Sequence, residues 1–168
     1  MSRFLDEIEG SVPALRRYAR ALTHNADLAD DLVQDCLERA IRKNRLWRPS
    51  GPLQAWLFKV LLNVYRNDLR RRRRALDTAS LSSMAVEPHM PSASPSRLAF
   101  ADTARAMQAL PPEQREALLL IALEGMSYSE AAGVLEIPLG TLMSRLARAR
   151  AALRSLTEDG GTKLRTVK

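Results

Sequence analysis

A group of polar residues near the carboxyl-terminal end of the chain has the side-chain types and the spacing to read the bases of DNA. Its members recur at three- and four-residue steps, so they would share one face of an α-helix: Thr141, Ser144, Arg145 and Arg148. Hydroxyl and guanidinium groups near the start of a helix are the groups that contact base edges in a major groove. This face is therefore predicted to bind DNA, which is recognition rather than catalysis.

The helices that would position this face are marked by local signals. Ser127, with Glu130 three residues later, forms a capping box, and Pro138 closes the helix that begins there. The next helix has an apolar stripe at helical spacing: Leu139, Leu142, Leu146, Ala149 and Leu153. The sequence from Ser127 to Leu156 therefore predicts a short helix, a tight turn and a long helix, which is a helix-turn-helix.

The charge of the long helix indicates a polyanionic partner. Between residues 137 and 156 the only charged side chains are four arginines. Arg150 and Arg154 lie on the other flank of the apolar stripe, where phosphates are the natural targets. The alternative is an ordinary helical hairpin with a solvated arginine face. The one-sided charge, together with the caps, favours DNA binding.

Composition excludes several classes of protein. The chain has 168 residues, a formal net charge of +7 and 46% hydrophobic residues, which favours folded cores and a nucleic-acid or acidic partner. Cys36 is the only cysteine and is predicted to be buried, and the two histidines form no cluster at metal-ligand spacing. The sequence has no nucleophile-base arrangement and no phosphate loop. We expect no enzymatic activity, no metal, no cofactor and no small-molecule ligand.

Hydropathy argues against a membrane protein. The longest strongly apolar run, Leu118 to Leu123, is far shorter than the roughly 20 residues that a spanning helix needs. The amino-terminal residues lack the hydrophobic region of a signal peptide. We expect no membrane insertion and a cytoplasmic location.

The first half of the chain predicts a helix from Ser11, Val12 and Pro13, a turn at Thr23 to Ala26 and a second helix from about Asp27 to Lys43. One face of the second helix is acidic and polar: Asp27, Asp30, Asp31, Gln34 and Glu38. The helix dipole explains acids in the first turn but not Gln34 and Glu38 beyond it. This face is predicted to dock on a basic protein partner.

A third helix is predicted from Leu53 to Arg74, after a loop at residues 44–52. Its polar stripe holds Lys59, Asn63, Arg66 and Arg70, and it continues into five successive arginines that a phosphate backbone would neutralise. Trp47 in the loop either folds back onto the core or offers a stacking surface to an unpaired base. Residues 1–75 carry sixteen Lys and Arg against nine Asp and Glu. The amino-terminal half is therefore predicted to bind nucleic acid too.

A change in composition predicts two domains. Residues 76–96 are rich in Ser, Ala and Pro and are predicted to be a flexible linker. Helical patterning resumes near Arg97, and Pro111 and Pro112 precede an apolar helix that ends at Gly125. The predicted organisation is all-α, with one helical domain at 1–75, a second at 97–157 and a flexible basic tail at 158–168.

The order of these features resembles a bacterial RNA polymerase sigma factor of the extracytoplasmic-function (ECF) group, in the sigma-70 superfamily, from Val12 to Leu156. In the first half the resemblance is carried by Asp30-Asp31-Leu32-Val33-Gln34-Asp35, then Trp56-Leu57, Asn63, Asp68 and Arg70 to Arg72. In the second half it is carried by Leu110 to Arg115, Glu124 to Ala132, Pro138 to Thr141, Ser144-Arg145 and Arg148-Ala149-Arg150. Together, in this order and spacing, these short matches are specific.

The resemblance implies sigma domains two and four, joined by a linker, which direct RNA polymerase to promoters. It implies that the second helix docks on the clamp helices of the polymerase beta-prime subunit. The residues implied in that contact are Asp30, Asp31, Gln34, Asp35 and Glu38. It further implies an anti-sigma factor as inhibitor, as in stress-responsive members of the group.

The resemblance also assigns the two DNA contacts. Capture of a flipped base of the minus-10 element, with the backbone around it, is implied for Trp47, Lys59, Asn63, Arg66, Arg70 and Arg71. Recognition of the minus-35 element is implied for Thr141, Met143, Ser144, Arg145, Arg148 and Arg150. Met143 stands where an arginine or lysine is frequent in the group, so this chain departs from the common pattern there.

Two other functions fit parts of the sequence. A two-domain transcription regulator would bind an operator through the helix-turn-helix without core polymerase. However, residues 1–75 show no alternating strand and helix pattern and no candidate phosphoacceptor. A helical nuclease would need a metal-ligand or acid-base set, which the sequence lacks.

Overall fold

The structure, a computed structural model, describes residues 2–47, 51–78 and 95–162, and within them it is all-helical, as predicted. The elements are α1 Ser2–Thr23, α2 Ala26–Arg42, a short 3-10 helix Asn44–Leu46, α3 Leu53–Thr78, α4 Pro95–Ala109, α5 Pro112–Ala122, α6 Tyr128–Leu135 and α7 Leu139–Thr162. The helices α1 to α3 belong to one compact unit and α4 to α7 to another.

The first helix begins nine residues earlier than predicted, at Ser2 rather than at Ser11. Ser11 does not cap a helix, because its hydroxyl donates to the backbone carbonyl oxygen of Glu7 one turn back, at 2.8 Å. Pro13 lies inside the helix on its exposed side. Upstream of it, Ile8 is only 5% exposed, and burial of this apolar side chain offsets the backbone hydrogen bond that proline cannot donate.

The core of the first unit lies among α1, α2 and α3. Tyr18 and Phe58 are fully buried and meet edge to face, with ring centroids 5.2 Å apart, a favoured aromatic geometry. Asn25 caps α2 by accepting a hydrogen bond from the backbone N–H of Leu28 at 3.0 Å. These contacts fix the position of the polar faces of α2 and α3.

Cys36 lies in this core, as predicted, and its thiol donates to the carbonyl oxygen of Leu57 at 3.5 Å. Burial raises the pKa of the thiol from 9.0 to about 12, an effect that the Arg39 guanidinium partly opposes. Above the unfolded pKa the thiol ionises only in the unfolded chain, so the free energy of unfolding falls as pH rises between these two values. Between about pH 8 and about pH 10.5 we expect a loss of about 2 kcal/mol from this residue.

Urea unfolding of the wild-type protein and Cys36→Ala at the two pH values measures this contribution. The alanine variant keeps every other titrating group, so the wild-type protein should lose more stability than the variant. Equal losses in the two proteins would show that the thiol is not held neutral by burial.

The second unit is built on α7. Leu142, Leu146 and Ala149 of the predicted stripe are buried, Leu153 is half-buried, and Leu139 at the start of the helix is exposed. Arg115 of α5 holds the end of α4, since its guanidinium donates to the carbonyl oxygens of Met107, Gln108 and Leu110 at 2.9, 2.6 and 3.0 Å. These carbonyls are among those that a helix end leaves without helical partners.

Two helices run past their predicted ends. The helix α3 extends to Thr78 and α4 begins at Pro95, so residues 76–78 and 95–96 of the predicted linker are helical. The rest of that linker lies outside the described residues. Similarly, α7 continues to Thr162 into the predicted tail, and residues 163–168 are not described. Arginine is a strong helix former, which is why the run in α3 continues the helix.

Candidate nucleic-acid and protein interfaces

The helix-turn-helix is formed by α6 and α7, and its capping box is confirmed. The Ser127 hydroxyl accepts from the backbone N–H of Glu130 at 3.2 Å, and the Glu130 carboxylate accepts from the backbone N–H of Ser127 at 2.9 Å. Hydrogen bonds that the Ser127 backbone N–H and, secondly, the Ser127 hydroxyl donate to this carboxylate lower the pKa of Glu130. At the other end of α6, Glu136 adopts a left-handed conformation with φ of 56°, which turns the chain towards Pro138 and α7.

Removing the cap should weaken this motif. Ser127→Ala leaves the Glu130 amide without its partner and is expected to lower the stability of the second unit by about 1 kcal/mol. Ser129→Ala is the matched control, because Ser129 is exposed one position beyond Tyr128 in the same turn. Chemical denaturation, monitored by the circular dichroism of the helices, measures the stability of both variants. Equal stability of the two variants would mean that the box contributes nothing.

The six residues predicted to recognise DNA occupy two flanks of α7. Thr141, Ser144, Arg145 and Arg148 lie on one flank, with Ser144 and Arg148 exposed and the other two half-buried. The Ser144 hydroxyl also donates to the carbonyl oxygen of Gly140 at 3.0 Å. The exposed polar face that the sequence predicts is therefore present.

Met143 and Arg150 lie on the opposite flank. Met143 is 51% exposed, although exposure of a large apolar side chain is unfavourable in water. Arg150 donates to the hydroxyl of Tyr128 at 3.2 Å, which joins the start of α6 to the middle of α7. Tyr128 was not among the predicted residues, because only the packing of the two helices brings it to Arg150.

The predicted polar stripe of α3 is present. Asn63 and Arg70 are exposed, and Lys59 and Arg66 are half-buried on the same side. Arg70 donates to the side-chain oxygen of Asn67 at 2.6 Å. Arg71 was predicted with this set but lies elsewhere, because one step along a helix turns the side chain by about 100°.

Trp47 packs against the first helix. Its ring lies 5.6 Å from that of Phe4, centroid to centroid, at an angle of 42°, and the side chain is half-buried. Of the two positions that the sequence left open, this contact corresponds to folding back on the protein. The remaining exposed part of the indole is what could contact a base.

The acidic residues of α2 make two kinds of contact, one with α1 and one within α2. Asp30 faces α1, where its carboxylate lies 3.9 Å from Arg16 and 4.0 Å from Arg20. Glu38 accepts from the Gln34 amide at 3.3 Å and lies 3.7 Å from Arg42. All these groups are exposed, so each pair contributes little to stability and the carboxylates remain available to a partner.

Asp31, Gln34 and Asp35 line a cleft of about 460 Å³ between α2 and α3, here called the α2–α3 cleft. Three of its other polar lining residues were missing from the predicted sites: Arg39, Asn67 and Asp68. Arg71 and Arg72, which belong to the arginine run predicted to contact DNA, line it as well. The spacing of Asp68 from Arg71 and Arg72, three and four positions, is the signal that could have indicated this group.

Among the described residues no group of acidic, histidine or cysteine side chains could hold a metal ion. In the same part of the chain, no helix is long and apolar enough to cross a membrane. The described residues form charged surfaces at the polar flank of α7, at the stripe of α3 and in the α2–α3 cleft.

Both units of the chain are similar to known protein families. Residues 8–62 match the family described as the Sigma2 domain of PhyR, and residues 101–153 match the one described as Sigma-70, region 4. Over 151 residues the sequence is 41% identical to the ECF RNA polymerase sigma factor EcfG of Rhodopseudomonas palustris, covering 90% of this chain and 83% of that protein.

Two solved structures are similar over most of their length. The sigma factor RpoE of Bartonella quintana, crystallised with the anti-sigma factor NepR, is 34% identical with a TM-score of 0.77, covering 94% of this chain and 98% of that one. CnrH, solved with the cytosolic domain of CnrY, is 32% identical with a TM-score of 0.71, covering 95% and 90%. CnrH is a sigma factor of Cupriavidus metallidurans.

Proposed function

Because this chain belongs to the ECF family of RNA polymerase sigma factors, we propose that its charged surfaces act in promoter-specific transcription initiation. It is an initiation factor that binds core RNA polymerase and promoter DNA, and it is not an enzyme. The identity of 41% over 151 residues carries this conclusion, since a match over 90% of this chain extends into both helical units.

The carboxyl-terminal unit acts as sigma domain four. Its helix α7 presents Ser144, Arg145 and Arg148 to base edges of the minus-35 element, and Arg150 lies on the flank where phosphates are reached. The capping box and the Arg150–Tyr128 hydrogen bond support this role, because both hold the recognition helix against α6.

The amino-terminal unit acts as sigma domain two. Asn63, with Lys59, Arg66 and Arg70 beside it, contacts the melted minus-10 element, where the energy of opening must be offset by contacts that only an extruded base can make. Trp47 stacks on such a base through the part of its ring that Phe4 leaves uncovered. The acidic residues of α2 dock on the beta-prime clamp helices of core polymerase.

An anti-sigma factor holds the chain inactive in the absence of a signal. The support comes from the sigma factor RpoE of Bartonella quintana, which was solved with the anti-sigma factor NepR. CnrH was likewise solved in complex with another protein, the cytosolic domain of CnrY. The inhibitor of this chain is of the same kind, and the protein acts in the cytoplasm, where core polymerase works.

Run-off transcription with purified core polymerase on genomic fragments tests the function directly. The chain should confer initiation at discrete sites that core polymerase alone does not use, and it should co-migrate with core polymerase in gel filtration. Self-association with operator binding in the absence of polymerase would favour the transcription regulator instead.

A further inference from the structure

Resting on the proposed function, we infer that the five-arginine run of α3 is divided between two partners. Arg71 and Arg72, held by Asp68, belong to the surface that docks on core RNA polymerase. Arg70, Arg73 and Arg74 belong to the surface that faces promoter DNA. The sequence had predicted a single phosphate-binding run.

The geometry of the helix separates the two groups. At about 100° per residue, Arg73 and Arg74 project on either side of Arg70, along the stripe of Lys59 and Asn63. Arg71 is turned by about 100° from Arg70, and Arg72 by about 200°. Five adjacent arginines therefore cannot all meet one phosphate backbone.

Asp68 fixes the second group in place. One oxygen of its carboxylate accepts from the Arg71 guanidinium and the other accepts from that of Arg72, both at 2.7 Å. The Asp68 side chain is 30% exposed, whereas those of Arg71 and Arg72 are 83% and 51% exposed. The carboxylate thus anchors two guanidinium groups whose outer donors still face solvent. Arg73 and Arg74 make no such ion pair with residues that the structure describes.

The charge around this group does not suit DNA. The α2–α3 cleft is lined by three carboxylates, Asp31, Asp35 and Asp68, and by an equal number of guanidinium groups, those of Arg39, Arg71 and Arg72. A phosphate approaching Arg71 would also approach these carboxylates, so the attraction that drives phosphate contacts is cancelled locally. A protein surface carrying both signs of charge complements such a lining.

The position of the cleft identifies the partner. Asp31, Gln34 and Asp35 of α2 lie both in the proposed polymerase-docking face and in the wall of the cleft. Arg71 and Arg72 therefore extend that docking face from α2 onto α3 without a break. The occupant is the surface of core polymerase that receives α2, with basic groups over Asp31 and Asp35 and acidic groups over the two arginines.

Two double variants with identical composition test the division. Arg71→Ala with Arg72→Ala, and Arg73→Ala with Arg74→Ala, each remove two positive charges from adjacent positions of one helix. The first is expected to weaken the association of the full chain with core polymerase by roughly tenfold. The second should leave that association unchanged. Titration of labelled core polymerase with each variant measures both.

The contribution of each arginine pair to promoter binding is measured on the assembled holoenzyme. Core polymerase is kept at a concentration that saturates every variant. The second double variant should flatten the dependence of promoter affinity on salt, by about 0.9 in logarithmic slope for each lost phosphate contact. The first should keep the wild-type slope. A smaller salt slope of promoter affinity in the first variant, with polymerase association unchanged, would overturn the inference. Arg71 and Arg72 would then belong to the DNA-binding surface.

Asp68 is a positioning residue, because its carboxylate holds Arg71 and Arg72 in place. Two replacements test this role, one that removes the carboxylate and one that keeps it. Asp68→Asn should lose polymerase affinity as the first double variant does, and Asp68→Glu should retain most of it, since a carboxylate still reaches both guanidinium groups.

If the wild-type chain fails to bind core polymerase, the proposed function and this inference fall together. If it binds but Arg71→Ala with Arg72→Ala binds equally well, only the division of the run is wrong.

Discussion

Reversing two carboxylates of the α2–α3 cleft, with Asp31→Arg and Asp35→Arg, is expected to abolish measurable association with core RNA polymerase. Both side chains are exposed, and in the proposed complex they face basic groups of the partner. Placing like charges opposite each other across an interface costs several kcal/mol, or about a hundredfold or more in affinity. Titration of labelled core polymerase gives the affinity, and run-off transcription should fall in parallel.

The matched control for this reversal carries the same change in charge at other places in the same unit. Glu9→Arg with Asp77→Arg replaces two exposed acids of α1 and α3 outside the lining of the cleft. It should bind core polymerase nearly as the wild-type chain does. Thermal unfolding shows whether either variant is misfolded. Wild-type affinity in a correctly folded Asp31→Arg, Asp35→Arg variant would remove α2 from the docking surface.

Arg148→Ala is expected to cost about 1 to 3 kcal/mol of promoter affinity and to relax the preference for one base pair of the minus-35 element. The side chain is exposed on the flank of α7 that also carries Ser144. A bidentate contact to a base discriminates by this amount, because a wrong base leaves a donor without its acceptor. Holoenzyme affinity for the promoter, and for its single-base variants around this element, measures the effect.

Arg154→Ala provides the comparison on the same helix. Arg154 is exposed on the other flank, where it is expected to meet phosphate, so its removal should weaken all sequences equally and lower the salt slope by about 1. If Arg148→Ala also weakens every promoter variant to the same extent, Arg148 holds the backbone and does not read a base.

Much of the second unit could be predicted from short stretches of sequence. The capping box of Ser127 and Glu130, and the buried positions Leu142 and Leu146, are all as predicted. Each depends on residues no more than four positions apart, whose relation is set by the hydrogen bonds and the 3.6-residue turn of a single helix. Such features are local, so the order of residues defines them.

Local signals were misleading where burial competed with them. Ser11 and Pro13 form a typical helix start, but α1 begins at Ser2. The pattern before Ser11 contains one strongly buried apolar residue, Ile8, which packs only when the rest of the unit is present. The free energy gained by burying it is a property of the assembled core and is not visible in the start signal itself.

The sites also depend on pairs that the sequence keeps far apart. The chain by itself determined that α2 is acidic on one face and that α3 ends in arginines. Only the tertiary structure decided that Asp30 faces Arg16 and Arg20 of α1, that Phe4 covers part of Trp47 and that Arg71 joins Asp31 in the α2–α3 cleft. Helical periodicity assigns a side chain to a face, but which helix meets that face is set by packing of the whole core.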